Sequence, residues 1–210
     1  FRLECETYPG LTADDGHYTK KEFRKFMLDC RDMGIKLLPP DVNESVADFS
    51  VVGKNIRFGL VAIKSIGRGF INEVIAERKA DGDFTSFEDF CRRMSGKDLN
   101  RRAVENLIRS GAFDSMGINR KALMQISAVM IDSLQHEARN NIAGQMNLFG
   151  EPDFADMGAT QIKIPEVEEF SRQELMAMEK ETTGLYLSGH PMDEYREQVR
   201  RAGAVPIGAI

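Results

Sequence analysis

Cysteine is scarce: the 210 residues hold three, Cys5, Cys30 and Cys91. They are odd in number and far apart, with no Cys-x-x-Cys, so neither a disulfide framework nor a zinc site is indicated. Each reads as a small apolar residue, and a reducing cytoplasm is the default compartment. Long apolar runs are also missing. None approaches the ~20 residues of a membrane span, and the N-terminus has no signal-peptide pattern, so no membrane partner is expected. A Walker-type glycine loop, a nucleophile elbow and His-rich metal spacing are absent as well. The adjacent acids Asp14-Asp15 and Glu168-Glu169 point in different directions on regular structure and read as solvated. What remains is a binder: no catalytic residue, metal ligand or cofactor is assigned within these residues. The first residue is not Met, which reads as a fragment or a processed product.

The net charge of −5 argues against a surface that is basic throughout. Its distribution is uneven. Residues 54–111 hold twelve Lys or Arg against eight Asp or Glu, whereas residues 145–210 hold six against twelve. A basic middle is followed by an acidic tail.

The basic stretch centres on Ile63-Lys64-Ser65-Ile66-Gly67-Arg68-Gly69-Phe70. Apolar Phe58–Ile63 leads in, and Phe70–Arg78 leads out with Ile71, Val74, Ile75 and Arg78 at helical spacing. Gly67 and Gly69 between two short helices suggest a turn needing left-handed dihedrals and close backbone approach. That is the outline of a helix-hairpin-helix, whose turn amides and second-helix N-terminus bind phosphate. A plain C-cap and tight turn is the competing reading. Ile108-Arg109-Ser110-Gly111-Ala112-Phe113 repeats the pattern. Two hairpins in one unit can hold phosphates on both strands of a duplex, and Lys64, Arg68, Arg101, Arg102 and Arg109 lie at or near the turns. Each of these cations could instead belong to a solvated helix face.

Other elements follow from local signals. A helix from Lys20 presents Phe23, Phe26, Met27 and Cys30 and ends at Gly34. Ile35–Leu38 reads as a strand stopped by Pro39-Pro40, with a second strand at Phe49–Val52 before Gly53. Ser86, with Asp89 three residues on, opens a helix over Phe87–Met94. Asn100 caps a helix whose inner face is Ala103, Val104, Leu107 and Ile108. A longer helix spans about Arg120–Ala138. Ser171 with Glu174 opens Arg172–Lys180, His190 reads as a turn residue before Pro191, and a short helix covers Glu194–Arg201. Between the helical parts, the polar stretch around Gln145-Met146-Asn147-Leu148-Phe149 carries two adjacent large apolar residues. They either tuck onto the domain or form a short motif that fills a partner's pocket.

Several of these motifs together resemble bacterial DNA polymerase III alpha subunits, the C-family replicative polymerases. Cys30–Ile35 with Leu38–Ser45 is similar to the end of that family's fingers region. Ile56–Lys64 with Gly67, and then Asn100–Asp114, resemble its tandem helix-hairpin-helix domain. Gln145–Phe149 is similar to its sliding-clamp-binding pentapeptide, and Glu181–Pro191 to the approach to its OB-fold domain. Residues 1–19 do not fit. The resemblance implies a mainly α fold with a short mixed α/β N-terminal segment and an extended, partly helical C-terminal linker. Its parts would be the end of the fingers (1–53), tandem hairpins (54–139), a linker with the clamp motif (140–170) and a helical segment toward an OB-fold (171–210). It further implies a DNA-directed DNA polymerase whose Mg²⁺ is held by palm aspartates outside this stretch. The implied DNA contacts are Lys64, Ser65, Gly67, Arg68, Gly69, Arg101, Arg102, Arg109, Ser110 and Gly111. Gln145, Met146, Asn147, Leu148 and Phe149 would bind the clamp. Expected partners are primer–template duplex, the sliding clamp and other replisome subunits. A non-enzymatic DNA-binding adaptor, or a protein-interaction module with purely structural hairpins, would use the same elements.

Overall fold

The computed structural model describes residues 29, 30, 32–142 and 163–203. The expected helix face at Phe23, Phe26 and Met27, and the motif Gln145–Phe149, lie outside the described residues. The chain enters on the last turn of a helix that ends at Gly34, where φ is +72°. The Ile35 amide reaches back to the Cys30 carbonyl at 2.8 Å, closing the end of that helix.

A small sheet follows, in the order β1-β3-β2. Strand β1 (Leu37–Leu38) runs parallel to β3 (Asn55–Arg57), and β2 (Ser50–Val52) pairs antiparallel with β3 across a turn at Gly53. Here the structure departs from expectation. The apolar Phe58–Ile63 segment is not a helix; a single 3-10 turn, Leu60–Ala62, is all that precedes the first hairpin. The reason is local. The Phe58 amide donates to Leu38, and those of Leu60 and Val61 donate to Val46 and Ala47, so three of the four amides from Phe58 to Val61 are paired with neighbouring chain. Gly59 is pressed against that chain so closely that a Cβ would sit 2.4 Å from the Asp48 carbonyl carbon.

The remainder is helical: α1 (Arg68–Asp81), α2 (Phe87–Met94), α3 (Arg101–Ser110), α4 (Arg120–Ile142), α5 (Arg172–Thr183) and the short α6 (Arg196–Arg201). The mainly α class with a small N-terminal sheet is the observed one. The caps match the sequence closely. Ser86 Oγ accepts from the Asp89 amide at 3.0 Å, and Asn100 Oδ1 accepts from Ala103 at 2.8 Å. The Asp89 carboxylate bonds the Thr85 amide, so the capping box at α2 is shifted by one residue. At α5 the box is complete between Ser171 and Glu174.

Helices α4 and α5 both pack against α3, whose Ala103, Val104, Leu107 and Ile108 are buried. A phenylalanine cluster fixes the second turn to α2. Phe113 meets Phe87 and Phe90 edge-on at 5.1 and 5.0 Å, and Phe84 meets Phe90 at 5.0 Å. Burying a ring of this kind contributes about 1.5–3 kcal/mol. The position of Phe113, and with it of the turn it belongs to, is therefore set by core packing.

Candidate nucleic-acid interface

The first turn is anchored from below and open above. Ile63, Ile66 and Phe70 are buried, while Lys64, Ser65, Gly67, Arg68 and Gly69 are exposed. The left-handed residue is Ser65, at φ +61°, and not either glycine. Gly67 is the extended N-cap of α1 (φ −72°, ψ 143°), and a Cβ on Gly67 or Gly69 would meet no atom within 4 Å. The expected left-handed glycines are thus corrected. Ser65 makes the turn, and the space in front of the glycines is open solvent. No acidic side chain stands in the first turn of α1 and none caps it. Among the described residues, no acceptor faces the amides of Ser65, Ile66 or Gly67. An uncompensated helix N-terminus with free turn amides favours an anion.

The second turn is built differently. Ser110 is buried, with its hydroxyl donating to the Leu107 carbonyl at 2.9 Å. Gly111 takes φ +84° as the C-cap of α3, and a Cβ there would lie 2.3 Å from Arg120 Nη2. The Arg120 guanidinium holds both Asp114 oxygens, at 2.9 and 2.6 Å, and Glu179 at 3.1 Å. Burial works against its charge. Hydrogen bonding and attraction from Asp114, joined by Glu179, prevail and raise its pKa above the ordinary value. The N-terminus of α4 already carries an anion: Glu169 accepts from the Arg120 amide at 2.7 Å and the Lys121 amide at 3.1 Å.

The predicted cations do not form one cluster of free charges. Lys64 and Arg109 meet at the end of α5. The Lys64 ammonium donates to the Glu181 carbonyl at 2.6 Å, and Arg109 pairs with the Glu181 carboxylate at 2.5 Å. The Lys64 amide donates to Thr182 O at 2.9 Å, and the Asn106 side chain donates to Lys64 O at 2.9 Å. Arg68 lies on Asp48 at 2.9 Å, an interaction whose hydrogen bonding and charge raise the arginine pKa. Arg101 lies on Asp132 at 2.9 Å. Arg102 is exposed and has no partner among the described residues. Exposed pairs such as these are weak and exchange readily for another anion.

Sequence reasoning missed Asn106, Arg120, Glu179 and Glu181, and its reading of Glu169 as solvated is corrected by the bonds that carboxylate accepts from the Arg120 and Lys121 amides. The acidic tail showed as a charge imbalance, but nothing local indicated which acids fold back. His190 is a turn residue, its Nδ1 accepting from the Met192 amide at 3.1 Å. Among the described residues no group of three His, Cys, Asp or Glu could hold a metal. No described helix is long and apolar enough to cross a membrane.

Residues 34–123 match the helix-hairpin-helix motif. The chain is 40% identical over 188 residues to DNA polymerase III subunit alpha of Mycobacterium leprae, covering 90% of this chain and 16% of that protein. The same subunit of Mycobacterium tuberculosis is 38% identical over 193 residues, covering 90% and 16%. That of Borreliella burgdorferi is 36% identical over 174 residues, covering 83% and 15%. The chain therefore spans about 16% of the length of the first of these relatives.

Proposed function

We propose that this chain, which matches a fragment of the DNA polymerase III alpha subunit, is the part of a DNA-directed DNA polymerase that holds product duplex and ties the enzyme to its sliding clamp. The observation that carries the first half is the open turn at Ser65–Gly67: amides without acceptors among the described residues, an uncapped helix N-terminus and no acid in its first turn. A phosphodiester seated there would accept from backbone donors, which is indifferent to base sequence. Lys64, Arg68, Arg101, Arg102 and Arg109 would add charge around it. Chemistry would belong to the rest of the polymerase, where Mg²⁺ would activate the primer hydroxyl and stabilise the leaving pyrophosphate.

The second half rests on sequence. Leu148 and Phe149 would fill an apolar pocket on the clamp, Gln145 would hydrogen-bond at its approach, and Met146 and Asn147 would span the two. A ring on DNA keeps the polymerase at high effective concentration near the primer end without adding any new chemical step.

Titration of a labelled duplex over a range of KCl concentrations tests the hairpin role. Each phosphate contact contributes about −0.9 to the log–log slope, so Lys64→Gln with Arg68→Gln should flatten it by about 1.8. An unchanged slope refutes phosphate contact at this turn. For the linker, Leu148→Ala with Phe149→Ala should abolish clamp pull-down and leave duplex affinity intact; retained pull-down would remove the clamp role.

A further inference from the structure

The two turns differ in one respect that bears on how they are used. The first presents the amides of Ser65, Ile66 and Gly67 to solvent, with only Lys64 bonded to the end of α5, whereas the second is engaged by acids from the chain that follows it. Glu169 bridges the first two amides of α4, and Glu181 sits on Arg109. We infer that stretch 163–170, through Glu169, and the Glu181 side chain are internal competitors for DNA phosphate, which must let go before the second hairpin can grip a duplex, while α5 itself stays packed. This rests on the duplex-binding reading above.

The contacts are built for exchange. The Glu181 side chain is 66% exposed, and the Arg109 side chain beneath it 28% exposed, so a phosphate can approach from solvent as the carboxylate swings away. Residues 163–170 have neither helix nor strand. They are held by the Glu169 bonds, by Asn119 donating to Val167 O at 2.6 Å, and by Lys121 lying 5.6 Å from the centre of the Phe170 ring. A carboxylate at a helix N-terminus makes the same kind of charge-assisted bonds as a phosphate oxygen. Exchange therefore replaces one anion by another, and the gain on binding is correspondingly small. Duplex would seat on Lys64–Gly69 first and reach the second hairpin only as the acids leave. The apparent affinity of the whole is lowered by the fraction of molecules in which the segment stays closed.

The test compares Glu169→Gln and Glu181→Gln with Glu197→Gln, which removes the same charge from an exposed position on α6. Anisotropy with the same duplex should show about two- to five-fold tighter binding for each of the first two variants and little change for the third. Glu181→Gln should also steepen the salt slope by about 0.9 as Arg109 becomes available. Equal effects from all three substitutions would reduce the competitor to bulk charge and overturn the inference. If those effects are equal while Lys64→Gln with Arg68→Gln still flattens the slope, only the inference fails; if that pair changes nothing, the duplex-binding reading fails with it. Hydrogen exchange on the unaltered chain gives an answer independent of any variant's folding. Saturating duplex should lower protection across residues 163–170 and raise it at Ser65–Gly67. Retained protection of 163–170 in the complex refutes displacement.

Discussion

Substituting Glu179 by Gln should destabilise the domain more than any exposed charge change, although the two side chains are almost the same size. The Glu179 side chain is 1% exposed and sits between two sets of donors. On one side Oε2 accepts from the Leu187 amide at 2.9 Å, the Ser188 amide at 2.9 Å and the Ser188 hydroxyl at 3.0 Å. On the other, Oε1 accepts from Arg120 at 3.1 Å. Every neighbour donates, so an amide cannot serve in either orientation. With its oxygen toward Leu187 and Ser188, its NH₂ faces the Arg120 guanidinium. Turned over, it confronts two backbone N–H groups. One buried donor left without an acceptor costs about 1–3 kcal/mol, and loss of charge from the remaining bonds adds to this, giving about 3 kcal/mol in total. For a chain of this size that corresponds to a fall in Tm of roughly 6–12 °C. Urea denaturation followed by circular dichroism measures it, with Glu197→Gln as the exposed control. Arg120 keeps Asp114 in the variant, so folding should survive and the midpoint should be measurable. A loss below about 1 kcal/mol would mean that the network is not a buried, fully committed one, and the reasoning would fail.

Further outcomes follow from the two turns and from Cys91. Ser65→Gly should stabilise by about 1 kcal/mol in the same urea assay, because glycine takes φ +61° without the steric cost that serine bears. Gly111→Ala should destabilise by 2 kcal/mol or more by this measure, since it combines left-handed strain with a Cβ 2.3 Å from Arg120 Nη2. Gly67→Ala has open space and an ordinary φ, so its stability should change little, yet its duplex affinity should fall if phosphate approaches the turn backbone. Burial, with Glu88 nearby, pushes the Cys91 thiol from 9.0 up to about 12. The unfolded thiol ionises first as pH rises, so this contribution to stability is intact below about pH 9 and is lost progressively towards pH 12. Urea midpoints in alkaline buffers should decline over that window, and Cys91→Ala should lessen the decline.

Helix boundaries were legible wherever a single side chain decides them. Ser86, Asn100 and Ser171 each accept from an amide three residues on, a bond that depends on local chain alone. The buried face of α3 was legible too, because one apolar stripe met one core. Strand β3 was not. Asn55–Arg57 carries little alternation, and its pairing depends on Leu37–Leu38, nearly twenty residues earlier. The candidate interface divided along the same line. The first turn showed its own glycines and cations, but which residue turns left-handed depends on how Ile63 and Ile66 sit in the core. The acids covering the second turn come from 49 and 72 residues away, Glu169 to Arg120 and Glu181 to Arg109, so no local pattern could assign them.

Helices α4 and α5 lie against the same helix, α3, and the Lys64 amide is joined to Thr182 O 118 positions along the chain. The stretch joining α4 to α5 is consequently a closed loop in the topological sense, with both ends fastened to one body. Closing a longer loop is inexpensive: each doubling of its length costs only about 0.6 kcal/mol. Insertions or deletions among residues 143–162 should therefore leave the fold nearly as stable as before. If Gln145–Phe149 docks on a clamp as proposed, that peptide could lengthen, shorten or change sequence while its anchors stay fixed, and the reach of the tether could evolve separately from the domain that bears it.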